Sequence, residues 1–325
     1  MLLASRIPLF GKSWQYLLTS LKKILSELIE VLTKDGSYSL KSVFFQENFH
    51  SLLGALEETK SKFTATSNLQ RFKGKSLNVL DICFGLGYNS ASLLDELIKQ
   101  KSYLNLYALE IDKNPLEYSL RNESFLKLWD PKVKKIFESL YRKDYFEDQF
   151  FKCSILWGDA RKKINIIPSS IKFDLIYLDG FSPQKCPQVW TIEFLSKVTE
   201  NLNPYGYLIT YSSSAAVRKT LRNLGLEIFT IKPSFKNRPF WSQGTVAISK
   251  FDKSKLKPNF NFEKLSLMEE EHLLTKASIP YRDQDLNSSK DDIIRRRLDE
   301  QLFSNLLSTN KWREKWGMTK LSFKS

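Results

Sequence analysis

The chain has 325 residues, 42% of them hydrophobic, and a formal net charge of +14. That apolar share is ample for a packed core, so the composition excludes a disordered or fibrous protein and allows one large domain with appendages or two modest ones. No apolar run reaches the ~18 residues of a membrane span, and the charge points to a polyanionic partner, because clustered Lys and Arg release counterions from phosphates.

In chain order, Trp14, Leu18, Leu21, Leu25, Leu28 and Leu32 recur at alternating four- and three-residue steps, with Lys22, Lys23, Glu27 and Glu30 elsewhere on the wheel. This predicts an amphipathic helix within residues 1–34 that packs on the domain or on a partner helix. Arg6, Lys12, Lys22 and Lys23 enclose no clean apolar block or cleavage site, so no secretory signal is expected. Asp35-Gly36-Ser37 breaks the pattern, and a polar and aromatic lead-in ends in a predicted helix from Ser51.

From Ser76 strands and helices alternate. Strands are predicted over Leu77 to Ile82, Leu104 to Glu110, Cys153 to Trp157, Phe173 to Leu178, Tyr207 to Tyr211 and Gly244 to Ser249. Helices are predicted over Asn89 to Gln100, Pro115 to Trp129, Val189 to Leu202 and Ala215 to Leu224. Strands separated by helices of this length mean βαβ units, so residues 35–250 are expected to form a Rossmann-like, doubly wound, mostly parallel α/β sheet. Pro131 to Phe151, rich in Lys, Phe and Tyr, reads as an inserted surface helix. Residues 251–325 read as a linker followed by a charged helical extension whose Ile294, Leu298, Leu302 and Leu306 share a face. In that extension the Arg295-Arg296-Arg297 run is expected on the solvated side, and Trp312 and Trp316 packed back onto the domain.

Cys83, Cys153 and Cys186 lie far apart without a Cys-x-x-Cys pair, and only His50 and His272 could join them. Neither a metal site nor a disulfide framework is expected, which suits the reducing cytoplasm.

The chemistry gathers at strand ends, where open α/β sheets place their ligands. The first strand runs into Asp81-Ile82-Cys83-Phe84-Gly85-Leu86-Gly87-Tyr88-Asn89, whose glycines let backbone approach a ligand at a helix N-terminus. It is not the dinucleotide fingerprint, whose third glycine would fall at Ser90. The second ends in Glu110-Ile111-Asp112, where a carboxylate accepts ribose hydroxyls. The third ends in Gly158-Asp159-Ala160, where a carboxylate can accept the exocyclic amine of adenine. The fourth ends in Asp179-Gly180-Phe181-Ser182-Pro183.

This ordered series resembles class I S-adenosylmethionine-dependent methyltransferases, with Cys83 where that pattern usually has its first glycine. The resemblance implies a seven-stranded sheet and S-adenosyl-L-methionine as cofactor, held by Asp81, Phe84, Gly85, Gly87, Asn89, Glu110, Asp112, Asp159 and Ala160. More specifically, FGLGYN, LDGFSPQKCPQVW and the upstream DGSYSL and HSLLGALEET resemble the methyltransferase half of MnmC, the bifunctional tRNA wobble-uridine modification enzyme, and its stand-alone relatives. Leu178, Asp179, Gly180, Phe181, Pro183, Lys185, Pro187 and Trp190 fill the fixed positions of that family's phrase. The match runs from about Lys34 to Ser249 and leaves the flavin oxidase half without a counterpart.

The resemblance implies methylation of the aminomethyl group on carbon 5 of the wobble uridine, with the anticodon arm of tRNA as partner. Asp179 would take the amine proton, Phe181, Pro183 and Trp190 would shape a dry pocket that stacks on the uracil, and Lys185 would meet a phosphate. His50, Ser51, Gly54 and Glu58 match a phrase beside the cofactor site, where Glu58 would contact substrate. Arg121, Lys127, Lys132, Lys134, Lys135, Arg142, Lys143, Arg218, Lys219, Arg222, Lys236 and Arg238 are the candidate tRNA contacts, with Phe235, Phe240 and Trp241 interleaved near Arg238 for base stacking. Competing readings are a polyamine aminopropyltransferase, which also handles an amine at this strand end but favours an acidic pocket, and a non-catalytic RNA-binding module on the same sheet.

Overall fold

The computed structural model describes residues 27–232, 242–249 and 260–318. Three short strands come first, Leu28–Leu32 (β1), Tyr38–Ser42 (β2) and Glu47–Asn48 (β3), paired antiparallel as a small sheet. The main sheet comprises Ser76–Ile82 (β4), Tyr103–Glu110 (β5), Tyr145–Glu147 (β6), Phe151–Trp157 (β7), Phe173–Leu178 (β8), Leu202–Thr210 (β9), Glu227–Ile231 (β10), Thr245–Ile248 (β11) and Phe262–Lys264 (β12). Their spatial order is β12-β10-β11-β9-β8-β4-β5-β7-β6.

The central five strands are parallel, and the pairs toward both edges are antiparallel. The parallel strands are near-continuous apolar runs because helices cover both faces. Alternate side chains enter opposite layers. Leu77, Val79, Leu175 and Tyr177 join one core cluster with the helices Tyr88–Gln100, Asn114–Arg121 and Pro131–Lys143. Leu80, Ile82, Ile176 and Leu178 join the other, with the helices Ile192–Glu200 and Ala215–Asn223 and with Ile293 of Lys290–Phe303.

The doubly wound α/β architecture is therefore the expected one, with differences at its margins. Among the described residues the sheet has nine strands and not seven: β6 is a three-residue hairpin arm on β7, and β10 and β12 are held by antiparallel partners at a distance along the chain, neither of which local patterning reveals. Leu28 and Leu32, expected on the N-terminal helix, lie in strand β1, where the Asp35-Gly36 turn folds the chain back onto β2. The rest of that helix falls outside the described residues. Pro131–Lys143 is no surface insertion: Val133, Ile136, Phe137 and Leu140 are buried, one face of a helix that closes the first layer. The helix expected over Val189 to Leu202 begins as a 3-10 turn, Pro187–Trp190, and restarts where the Thr191 hydroxyl caps Phe194 N.

In the extension, the apolar face expected from Ile294, Leu298, Leu302 and Leu306 is not packed. Leu298, Leu302 and Leu306 are exposed, and Ile293 is the residue buried on the domain. Trp312 and Trp316, expected to pack onto the domain, instead form a small core within the extension: Trp312 meets Met268 and Met318 and donates from Nε1 to Met268 O, and Trp316 Nε1 donates to Glu271. Among the described residues no helix is long and apolar enough to cross a membrane.

Candidate active site

A cavity of about 380 Å³ opens at the C-terminal ends of the parallel strands, between them and the small β1–β3 sheet. Its walls include Asp179, Gly180 and Phe181 from the turn after β8, Cys83 and Gly85 after β4, Glu110 at the end of β5 with Ile111 and Asp112 beyond it, and Tyr211 after β9. The lead-in adds Phe45, Glu47, Phe49, His50 and Glu58. The volume is that of a small-molecule site.

Glu110 ties two of these turns together. Its Oε2 accepts from Gly85 N at 2.7 Å, and its Oε1 accepts from Ile111 N at 2.7 Å and Asp112 N at 3.0 Å. Burial raises its pKa against those bonds. Oε2 keeps a lone pair for a further donor, as a ribose hydroxyl requires. Gly85 sits at φ +56, and a Cβ there would lie 3.2 Å from the Phe49 ring, so only glycine seats that turn without displacing the cavity wall. Asp112, which caps Asn114 N, is also raised by burial.

Asp81 is buried behind this turn. Its Oδ2 accepts from Ser90 Oγ at 2.6 Å and its Oδ1 has no protein partner, and burial lifts its pKa to about 7. Cys83 follows in the left-handed region at φ 66, a conformation that explains why glycine is usual at this place in the pattern.

Asp179 is held from two sides. Its backbone N donates to Ile82 O at 3.1 Å, and its Oδ2 accepts from Asn89 Nδ2 at 2.7 Å. Burial, reinforced by the nearby Glu58 charge, lifts its pKa to about 8. Burial also pushes Glu58 upward, but the Lys62 ammonium 2.5 Å from Oε1 outweighs this and leaves it lowered. Glu58 Oε2 accepts from Ser51 N. His50, whose Nδ1 shares a hydrogen bond with Ser39 Oγ, has its pKa lowered to about 4 by burial and is neutral.

The loop after β8 is braced by residues on both sides. Phe181 stacks on Phe45 at 4.4 Å and meets the edge of Phe49 at 5.0 Å. Glu47 Oε2 accepts from Ser182 N, and Trp190 Nε1 donates to Phe181 O.

Of the residues selected from sequence, Glu58, Gly85, Glu110, Asp112, Asp179 and Phe181 meet at this cavity. Trp190 is fully buried beneath the loop, Pro183 is buried, and Lys185 N closes a turn onto Ser182 O, so these three brace the loop and do not line the cavity. Phe84 and Gly87 lie in the helix-side packing, where a Cβ on residue 87 would meet Phe137 at 2.6 Å. Asp159 caps its own helix and forks onto Arg161, whose Nη1 reaches Asp283 at 2.7 Å in the extension; Asp159 and the adjoining Ala160 lie away from the cavity wall. Arg238 lies outside the described residues, as do Phe235, Lys236, Phe240 and Trp241.

Sequence reasoning missed Phe45, Glu47, Phe49, Cys186 and Tyr211. Tyr211 alone carried a signal, since it follows the end of β9 as Asp179 follows β8. Among the described residues no group of three or more His, Cys, Asp or Glu side chains is arranged to hold a metal.

Comparison with known proteins agrees with this geometry. Residues 123–245 match the family described as S-adenosyl-L-methionine-dependent methyltransferase. The crystal structure of MnmC2 from Aquifex aeolicus superposes with a TM-score of 0.72 at 26% identity, covering 91% of this chain and 93% of that one. An uncharacterised protein of Methanocaldococcus jannaschii is 29% identical over 90% of this chain and 78% of its own length. The tRNA 5-methylaminomethyl-2-thiouridine biosynthesis bifunctional protein MnmC of Leptospira borgpetersenii is 29% identical over 59% of this chain, and the match spans 31% of that longer protein. With the doubly wound sheet, the glycine turn and the acidic strand ends in place, the chain is a class I S-adenosyl-L-methionine-dependent methyltransferase related to the methyltransferase domain of MnmC.

Proposed function

We propose that the chain methylates a primary amine, the aminomethyl group on carbon 5 of the wobble uridine in the anticodon arm of tRNA, in the cytoplasm. The observation that carries this reading is Asp179, a carboxylate at the cavity wall whose proton affinity lies near the working pH. An alkylammonium has no lone pair until it loses a proton, and a base of pKa about 8 is matched to that task.

S-adenosyl-L-methionine supplies an already activated methyl group, so the protein's work is positioning and proton transfer. Glu110, Gly85 and Asp112 would hold this cofactor. Asp179 Oδ1 takes one ammonium proton and orients the nitrogen, while Glu58 adds a second negative charge that draws the cation inward. Phe45, Phe49 and Phe181 exclude water and give the uracil ring an aromatic face. Similarity to MnmC, a tRNA 5-methylaminomethyl-2-thiouridine biosynthesis protein, supports tRNA as the substrate.

The test is to incubate the protein with labelled S-adenosyl-L-methionine and tRNA that lacks only the final methyl, then digest it and identify the nucleoside. Label in the wobble 5-methylaminomethyluridine is expected, and its absence overturns the substrate. Asp179→Asn should lose at least ~10²-fold in kcat while cofactor affinity is kept, within the usual range for a general base. Because only ionised Asp179 accepts a proton, kcat/KM should climb with pH to a plateau above about 8. A flat profile between about pH 6 and 9 removes that role.

A further inference from the structure

Asn89 is the second residue of the helix Tyr88–Gln100 and is 6% exposed. Its amide is engaged at both ends: Nδ2 donates to Asp179 Oδ2 at 2.7 Å, and Oδ1 accepts from Thr59 Oγ1 at 2.9 Å. Thr59 is 1% exposed and opens the π-helical turn Thr59–Thr64, an uncommon form that is frequent at functional sites. That turn also carries Lys62, and Glu58 immediately precedes it. A hydroxyl donating to Oδ1 leaves the Asn89 NH₂ group facing Asp179, the orientation that complements a carboxylate oxygen.

We infer that Thr59 and Asn89 form a positioning relay for Asp179, engaging Oδ2 and leaving Oδ1 toward the acceptor amine. Asn89 is thereby assigned to the acceptor side of the reaction and not to the cofactor. The inference rests on the amine-methylating reading of Asp179. The other groups felt at Asp179 are Glu58 and Lys62 from the 55–64 segment, Asp81 and Cys83 from β4 and its turn, and Tyr211 after β9. Against the raising influence of burial and of Glu58, the Asn89 hydrogen bond favours the ionised form.

Two variants test the relay. Asn89→Leu removes both hydrogen bonds at similar volume and should lower kcat ~10–100-fold, the range for a hydrogen bond to a charged group. The acidic limb of its pH profile should move up by about one unit, with cofactor affinity by calorimetry unchanged within ~2-fold. Thr59→Val, which deletes only the hydroxyl, should lower kcat ~3–10-fold, and Thr59→Ser should restore it.

The inference is overturned if Asn89→Leu weakens cofactor binding while keeping kcat, or if Thr59→Ser is as impaired as Thr59→Val. A substrate-free readout separates this idea from the one beneath it: carboxyl-carbon NMR titration of Asp179, identified by its loss in Asp179→Asn. A midpoint raised in Asn89→Leu supports the relay even if the wild type fails to methylate tRNA, an outcome that sinks the amine reading alone. An unmoved midpoint in an active enzyme sinks the relay alone.

Discussion

A carboxyl group that burial holds near a pKa of 8 is stabilised by its proton, and Asp179 is such a group. Its unfolded pKa is near 4, so the stabilising contribution is complete below about pH 4 and is lost as pH rises through about 8. An asparagine in its place would mimic the neutral acid at every pH. Asp179→Asn should therefore exceed the wild type in stability by about 1–3 kcal/mol above pH 8, a few degrees in Tm, with the gain shrinking toward about pH 4. Thermal melts across roughly pH 4 to 9 check this, and a difference that stays constant over that range contradicts it. Asp179, Glu110 and Asp112 were legible in the sequence because each stands at or just past the end of an apolar strand, and strand ends converge in this fold whatever the loops do. Phe45, Glu47 and Phe49 were not, since their place at the cavity depends on how the lead-in folds over the sheet. Trp190 shows the reverse limit: its indole fills the core under the loop and spends its N–H on Phe181 O.

The turn after β4 and the loop after β8 are fitted to each other. Cys83 keeps the left-handed backbone of the turn at φ 66, and its thiol occupies the space beside Gly180. A Cβ added at Gly180 would lie 3.0 Å from Cys83 Sγ and 3.0 Å from Val189 Cγ2. The departure from the usual glycine at residue 83 is thus accommodated by the glycine at residue 180. Gly180→Ala should cost about 1–3 kcal/mol through overpacking, and Cys83→Gly should return part of that cost in the double variant. Chemical unfolding of the two single variants and the double variant measures the coupling, and strict additivity would show that the two elements do not press on each other. Strands β4, β5 and β8 could be read from their apolar runs, whereas β10 and β12 were hidden because their ladders are built with residues distant in sequence. The helix Pro131–Lys143 misled for a related reason. Its Lys and Arg residues mark the outer face, and only packing shows that Val133, Ile136, Phe137 and Leu140 supply a core layer.

At the scale of the whole molecule, the structure redistributes the basic residues that the sequence offered for RNA. Arg218 is removed from that set: it is 2% exposed, pairs with Glu269 at 2.9 Å and donates to Gly244 O, so it anchors the extension to the sheet. Arg222 pairs with Glu270, Arg121 with Glu117, Lys127 with Glu123 and Lys132 with Asp148. Exposed pairs of this kind hold their geometry weakly and leave the long-range field of the protein unchanged. Lys135, Arg142 and Lys143 are exposed on the helix Pro131–Lys143, and the formal excess of +14 stands for the whole chain. If that excess serves a polyanion, binding of an anticodon stem-loop must release counterions. The logarithm of its association constant should then fall linearly with the logarithm of salt concentration, with a slope of about −3 or steeper for several phosphates neutralised. Fluorescence titrations between roughly 50 and 200 mM salt read the slope directly. A slope near zero would detach the charge from nucleic-acid binding and leave the acceptor to be recognised by the cavity alone.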